Sequence, residues 1–314
     1  MSTFFDKNSL GFSSLEYYVN LVYNTFIWTL FHLYLLQHGG YFMKKKPLVL
    51  IIIFSLIFVS CIGYIISFEY NNYLERQKLE ALQDANLKEN LPEEVSEEPE
   101  VFIEPQEDVS EVEKTPEPLT ILPIYQEKYD ENNDLFGWIT IEDTSINYPV
   151  MQTVDDQNFY LRKDWEKNYS WYGLPFADSQ VTLDSNNVII YGHNMCDGTM
   201  FSELINYKDQ SFYENHKYIK FDTLYEEGTY EIISVSRTVA YYTWDDANSA
   251  DYYFYFHINM DSEDEFNEYV SKAKEYSYFD IEASAEYGDK LLTLSTCDYW
   301  VKDARLLVIA KKVE

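Results

Sequence analysis

Residues 290–312, KLLTLSTCDYWVKDARLLVIAKK, decide how the chain folds. Two apolar, β-branched runs, 291–296 and 305–310, flank a short polar turn, so both are expected as interior strands of an antiparallel sheet. Cys297 ends the first run. A thiol where a buried strand opens into a loop has rigid support and access to solvent, as a reactive cysteine requires; a core cysteine is only a small buried hydrophobe. The cysteine alone does not choose between the two.

Two other residues tilt the choice toward chemistry. Arg305 lies eight residues past Cys297, at the start of the returning run, where a hairpin would bring its guanidinium beside the sulfur. A permanent cation there lowers a thiol pKa or holds an oxyanion. His193, in VIIYGHNM, again follows an apolar strand-like run, 188–191. A thiol, an imidazole and a guanidinium, each at a strand end, suit nucleophilic acyl transfer: the thiolate attacks, and the histidine moves the proton.

The motifs TLSTC at 293–297, YGHNM at 191–195 and an arginine opening the next strand resemble the sortase family of cell-wall transpeptidases, over residues 118–313. A long helix-containing segment between the penultimate strands is similar to class B of that family. The resemblance implies a mainly β fold, a closed sortase-type barrel of about eight strands with short helices and that insertion. It implies Cys297 as nucleophile, His193 as acid and base, and Arg305 as oxyanion or substrate clamp, with thiol and imidazole both largely neutral at rest. Asn194, Ser295 and Thr296 are expected to touch substrate, Asn194 alternatively orienting the histidine or capping a turn. The implied reaction cleaves a C-terminal sorting signal of secreted proteins through a thioester. An amine of a peptidoglycan precursor, of the lipid II type, then resolves it, and no cofactor is required. Alternatives are a pilin-polymerising sortase or an inactive, membrane-tethered peptide-binding module.

Toward the N-terminus the composition changes in blocks. Residues 1–42 are aromatic and apolar and stop just before Met43 and three lysines, which reads as a translated leader or mis-assigned start. Residues 47–68 carry no charge and are long enough to cross a bilayer of about 30 Å. With Lys44, Lys45 and Lys46 in front, 43–68 is expected to be a single-pass anchor with its N-terminus cytoplasmic and the remainder extracytoplasmic. Residues 69–118 are expected to be a juxtamembrane stalk and linker: 84–118 hold thirteen acidic residues, two lysines and five prolines, too polar to bury a core.

The catalytic domain is expected over 119–314. A helix is predicted at 123–133. Short strands at 135–141, 146–151, 173–177, 188–191, 218–222 and 229–240 join the two C-terminal runs in a barrel pattern. A short helix is predicted at 201–207. Inside the insertion, Phe266, Tyr269, Val270 and Ala273 recur at helical spacing, predicting a helix over 262–278. The aromatic stretch before it, with Tyr252, Tyr253 and Phe254, is expected to wall a groove for an extended peptide. Cys61, Cys196 and Cys297 form no disulfide framework, and His193 with Cys196 lacks the second ligand pair that a zinc site needs. Residues 119–314 hold 36 acidic and 15 basic side chains, so nucleic acid is not an expected partner.

Overall fold

The computed structural model describes residues 45–89, 119–239, 255–299 and 302–314. The expected leader, the linker from 90 to 118 and the aromatic stretch with Tyr252, Tyr253 and Phe254 lie outside them. The chain divides into two compact units, Met1–Asn71 and Asn72–Glu314.

Helix α1 is Lys45–Glu89. Its segment Phe54–Leu87 is, among the described residues, the one helix long and apolar enough to cross a membrane. The charge-free part ends at Phe68, inside the first unit. Beyond Asn71 the helix belongs to the second unit, where Leu79 and Leu82, one turn apart, pack on the core. Glu75 there accepts a hydrogen bond from Ser170 Oγ (2.7 Å), and Lys78 pairs with Glu166 (2.7 Å). Within residues 72–89 the helix thus contacts the domain through Glu75, Lys78, Leu79 and Leu82.

That domain is a closed barrel of eight strands: β1 (Leu135–Thr140), β2 (Asn147–Met151), β3 (Phe176–Ala177), β4 (Asn187–Gly192), β5 (Tyr218–Thr223), β6 (Thr229–Val239), β7 (Leu291–Cys297) and β8 (Ala304–Lys312). Their order around the barrel is β1-β2-β3-β4-β7-β8-β6-β5, and β1 pairs β5 to close the ring. Closure leaves no edge strand exposed. One expectation needs correction. β8 has two antiparallel neighbours, but β7 runs antiparallel to β8 and parallel to β4. The chain between β4 and β7, which carries β5 and β6, supplies the crossover that a parallel neighbour needs in place of a tight turn.

Alternation along the strands separates two cores. Leu292 and Leu294 of β7, Ile190 of β4 and Leu306, Val308 and Ala310 of β8 fill the barrel interior. Leu291, Ile189, Leu307 and Ile309 face outward, under Phe266, Tyr269, Val270 and Ala273 of the insertion helix α3 (Glu263–Glu275). A second polar layer locks this helix down: Tyr269 Oη lies 2.8 Å from Thr293 Oγ1, which donates to Asn187 Oδ1 at 2.9 Å. Ser262 caps α3 by accepting from the Glu265 amide (3.3 Å), while Glu265 Oε2 accepts from the Asp261 amide (3.1 Å), a variant of the capping box. Helix α2 is Pro123–Glu131, with proline in its first turn. The helix expected at 201–207 is a 3₁₀ turn, Ser202–Lys208, followed by a short α-helix, Gln210–Asn215. The strand expected at 173–177 shrinks to Phe176–Ala177 because Gly173, at φ +59°, turns the chain where any Cβ would meet the carbonyls of Tyr160 and Leu161.

Candidate active site

Strand pairing assembles the site. In the parallel β4–β7 ladder Gly192 is the partner of Thr296. The next residues on each strand are His193 and Cys297, so imidazole and thiol emerge side by side from neighbouring strands about 4.8 Å apart. On the other side of β7, Cys297 and Arg305 are direct cross-strand partners, a relation that sets Cβ atoms about 5 Å apart. Cys297 shares the parity of Leu291 and Thr293, and Arg305 that of Leu307 and Ile309. Both therefore lie on the outer sheet face that α3 covers lower down. Cys297, His193 and Arg305 are each half-buried.

His193 is held on one ring nitrogen. Its Nε2 lies 2.9 Å from the Leu161 carbonyl, which can only accept, so Nε2 carries the proton and Nδ1 the lone pair of the neutral ring. Burial pulls its pKa below the ordinary 6.5, the Leu161 bond opposes that pull, and the nearby Arg162 cation reinforces it. The imidazole is neutral at neutral pH. Its carbonyl accepts from the Phe201 amide (2.8 Å), fixing the backbone from the other side.

The neighbours divide the work. Asn194 Nδ2 donates to the Cys297 carbonyl (3.0 Å), which ties the histidine turn to the nucleophile strand. Thr296 points to the barrel interior with its hydroxyl on the Gly192 carbonyl (2.8 Å), clamping β4 to β7. Ser295, on the Cys297 face, is buried, and its hydroxyl has no partner. Arg305 Nη1 donates to the Ala304 carbonyl (2.9 Å). Cys196 is exposed in the turn after the histidine, and the Tyr299 pKa is raised by partial burial of its hydroxyl and by Cys297 and Cys196, with Arg305 opposing. No group of three or more metal-ligating side chains occurs among the described residues. Two contributors escaped the sequence: the Leu161 carbonyl, a backbone atom with no side-chain signal, and Asp298, whose buried carboxylate directly follows the thiol.

A barrel that delivers a thiol and an imidazole on parallel strands, with a guanidinium across the hairpin, is equipped for acyl transfer through a thioester. The sortase domain profile matches residues 139–313, and the chain belongs to the sortase family of cysteine transpeptidases. It is 31% identical over 198 residues to sortase B of Staphylococcus aureus, covering 62% of this chain and 76% of that protein. To sortase B of Listeria monocytogenes it is 32% identical over 169 residues, 53% of this chain and 64% of the other. A solved S. aureus sortase B–substrate complex superposes with a TM-score of 0.60 at 26% identity, covering 78% of this chain and 99% of that one.

Proposed function

We propose that this chain is a membrane-anchored, extracytoplasmic transpeptidase that cleaves the sorting signal of secreted proteins and joins them to an amine of a peptidoglycan precursor. Residues 43–68 are the anchor, 69–118 the stalk and linker, and 119–314 the catalytic domain. Cys297 is the nucleophile: its thiolate adds to the scissile carbonyl, and Arg305 stabilises the oxyanion. His193, charged by the thiol proton at Nδ1, returns that proton to the departing amine as the C–N bond breaks. The acceptor amine then attacks the thioester, gives a proton to His193 and releases the thiolate, which takes that proton back from His193. Asn194 faces the peptide with Tyr252, Tyr253 and Phe254 of the insertion, and the buried Ser295 and Thr296 support them from beneath.

The observation that carries the reading is the paired register, Gly192 with Thr296 and Cys297 with Arg305, which brings three groups distant in sequence into one row. Incubating the protein with a pentapeptide library and measuring intact mass tests it. A peptide adduct should form on Cys297, persist in Cys196→Ser and vanish in Cys297→Ala. No adduct from any peptide, or one that survives Cys297→Ala, refutes it.

A further inference from the structure

Immediately beyond the thiol, Asp298 is 7% exposed. A buried carboxylate persists when it is paired and hydrogen-bonded, and this one is. Its Oδ1 accepts from Lys208 Nζ (2.7 Å) and from the Tyr299 amide (2.8 Å); its Oδ2 accepts from the Tyr278 hydroxyl (3.2 Å). Its own amide donates to the Ala304 carbonyl (2.9 Å), closing the β7–β8 hairpin. Lys208 ends the 3₁₀ turn that follows the histidine loop, and Tyr278 stands just beyond α3. One carboxylate therefore ties two separate elements, the 3₁₀ turn and the segment after α3, to the point where the nucleophile strand ends. Lys208 and Tyr278 also line an open groove of about 990 Å³ that none of Cys297, His193 and Arg305 lines; their hydrogen bonds toward the nucleophile strand end on Asp298.

We infer that Lys208 and Tyr278 are positioning residues for the reaction: they neutralise and fix the Asp298 carboxylate so that a thiolate can form beside it at Cys297. The inference rests on the reading of Cys297 as nucleophile. An uncompensated anion next to a thiol disfavours thiolate, whereas the same anion inside an ion pair barely acts on it. The charged and titratable side chains that bond this carboxylate are Lys208 from the 3₁₀ turn and Tyr278 after α3; Cys297 precedes it in the chain with Arg305 across the hairpin, Tyr299 follows it, and Arg237 of β6 acts on the Tyr278 phenol. Burial, with Asp298 adding, pushes the Tyr278 pKa to about 12, so this phenol remains a donor throughout the working range.

The test uses the full-length protein and iodoacetamide, with alkylation of the Cys297 peptide followed by mass spectrometry across pH, alongside thioester formation with a peptide substrate. In Lys208→Met the apparent thiol pKa should rise by about one unit, slowing alkylation at fixed pH about tenfold. Lys208→Arg and the double variant Lys208→Met/Asp298→Asn should restore it. Asp298→Asn alone should lower the thiol pKa, which keeps the inference testable even where Lys208→Met does not fold. An unmoved thiol pKa in Lys208→Met or Asp298→Asn, or a double variant as impaired as Lys208→Met, overturns the inference while leaving Cys297 the nucleophile. A wild-type protein that forms no thioester at Cys297 removes the ground under both.

Discussion

Gly192→Ala tests how closely the histidine strand is fitted. Gly192 is not among the glycines of positive φ, so its backbone accepts alanine; the obstacle is the ring of Phe201. A Cβ there would sit 2.9 Å from Phe201 Cε2 and closer still to Cγ and Cδ2. Phe201 is fully buried in the barrel core, among Met200, Leu204 and Tyr207 of the same cluster. Overpacking of this kind costs about 1–3 kcal/mol, which for a domain of this size lowers Tm by about 2–12 °C. The catalytic loss should be larger than stability alone suggests, because the Phe201 amide bonds the His193 carbonyl at 2.8 Å and any displacement of the ring is passed to the imidazole. A misplacement of about 1 Å costs up to about 10²-fold in rate. The assay is a thermal melt together with the rate of thioester formation. Phe201→Leu placed on Gly192→Ala should return part of both losses by vacating the space. Unchanged Tm and rate in Gly192→Ala, or a double variant no better than the single, would refute the steric argument.

Arg305→Lys keeps the charge but replaces a planar, multidentate donor by a point charge on a flexible stem, so thioester formation should fall by about 10² to 10³; near-normal turnover would reduce Arg305 to a structural role. Since burial lowers the His193 pKa below 6.5, the unfolded chain binds more protons just beneath that value. Stability should therefore rise with pH through this window and be lost on acidification, and His193→Gln should flatten that part of a Tm-versus-pH curve; parallel curves would rule the histidine out as the cause. Tyr269→Phe removes the hydroxyl that meets Thr293 beneath α3 and should cost about 1–3 kcal/mol in urea unfolding. An unmoved midpoint would mean that Thr293 finds another partner.

What could be read without coordinates follows from how local each signal is. The Cys297–Arg305 pairing was legible because a short turn leaves a returning strand few registers. The eight strands were legible because each carries its own apolar run and turn residues. The meeting of His193 with Cys297 was not, since it depends on a parallel ladder between strands a hundred residues apart; resemblance of the motifs supplied it, not spacing. Leu79 and Leu82 lie in a charged stretch where two leucines one turn apart make too faint a stripe to announce packing. Lys208 gave no hint of its partner because an ion pair across 90 residues leaves no pattern in either neighbourhood. Gly173 shortened β3 through a backbone turn that composition does not encode.

The parallel β4–β7 ladder also governs when this protein becomes active. Its two strands enclose the chain from Gly192 to Leu291, so the ladder forms only after a large loop is closed, an entropically slow event compared with hairpin formation. Until then the thiol and the imidazole belong to separate pieces of polypeptide. A chain whose ladder has not yet closed carries every side chain of the candidate site and yet has no assembled site. The site is therefore complete only once the seam between two strands a hundred residues apart has zipped shut.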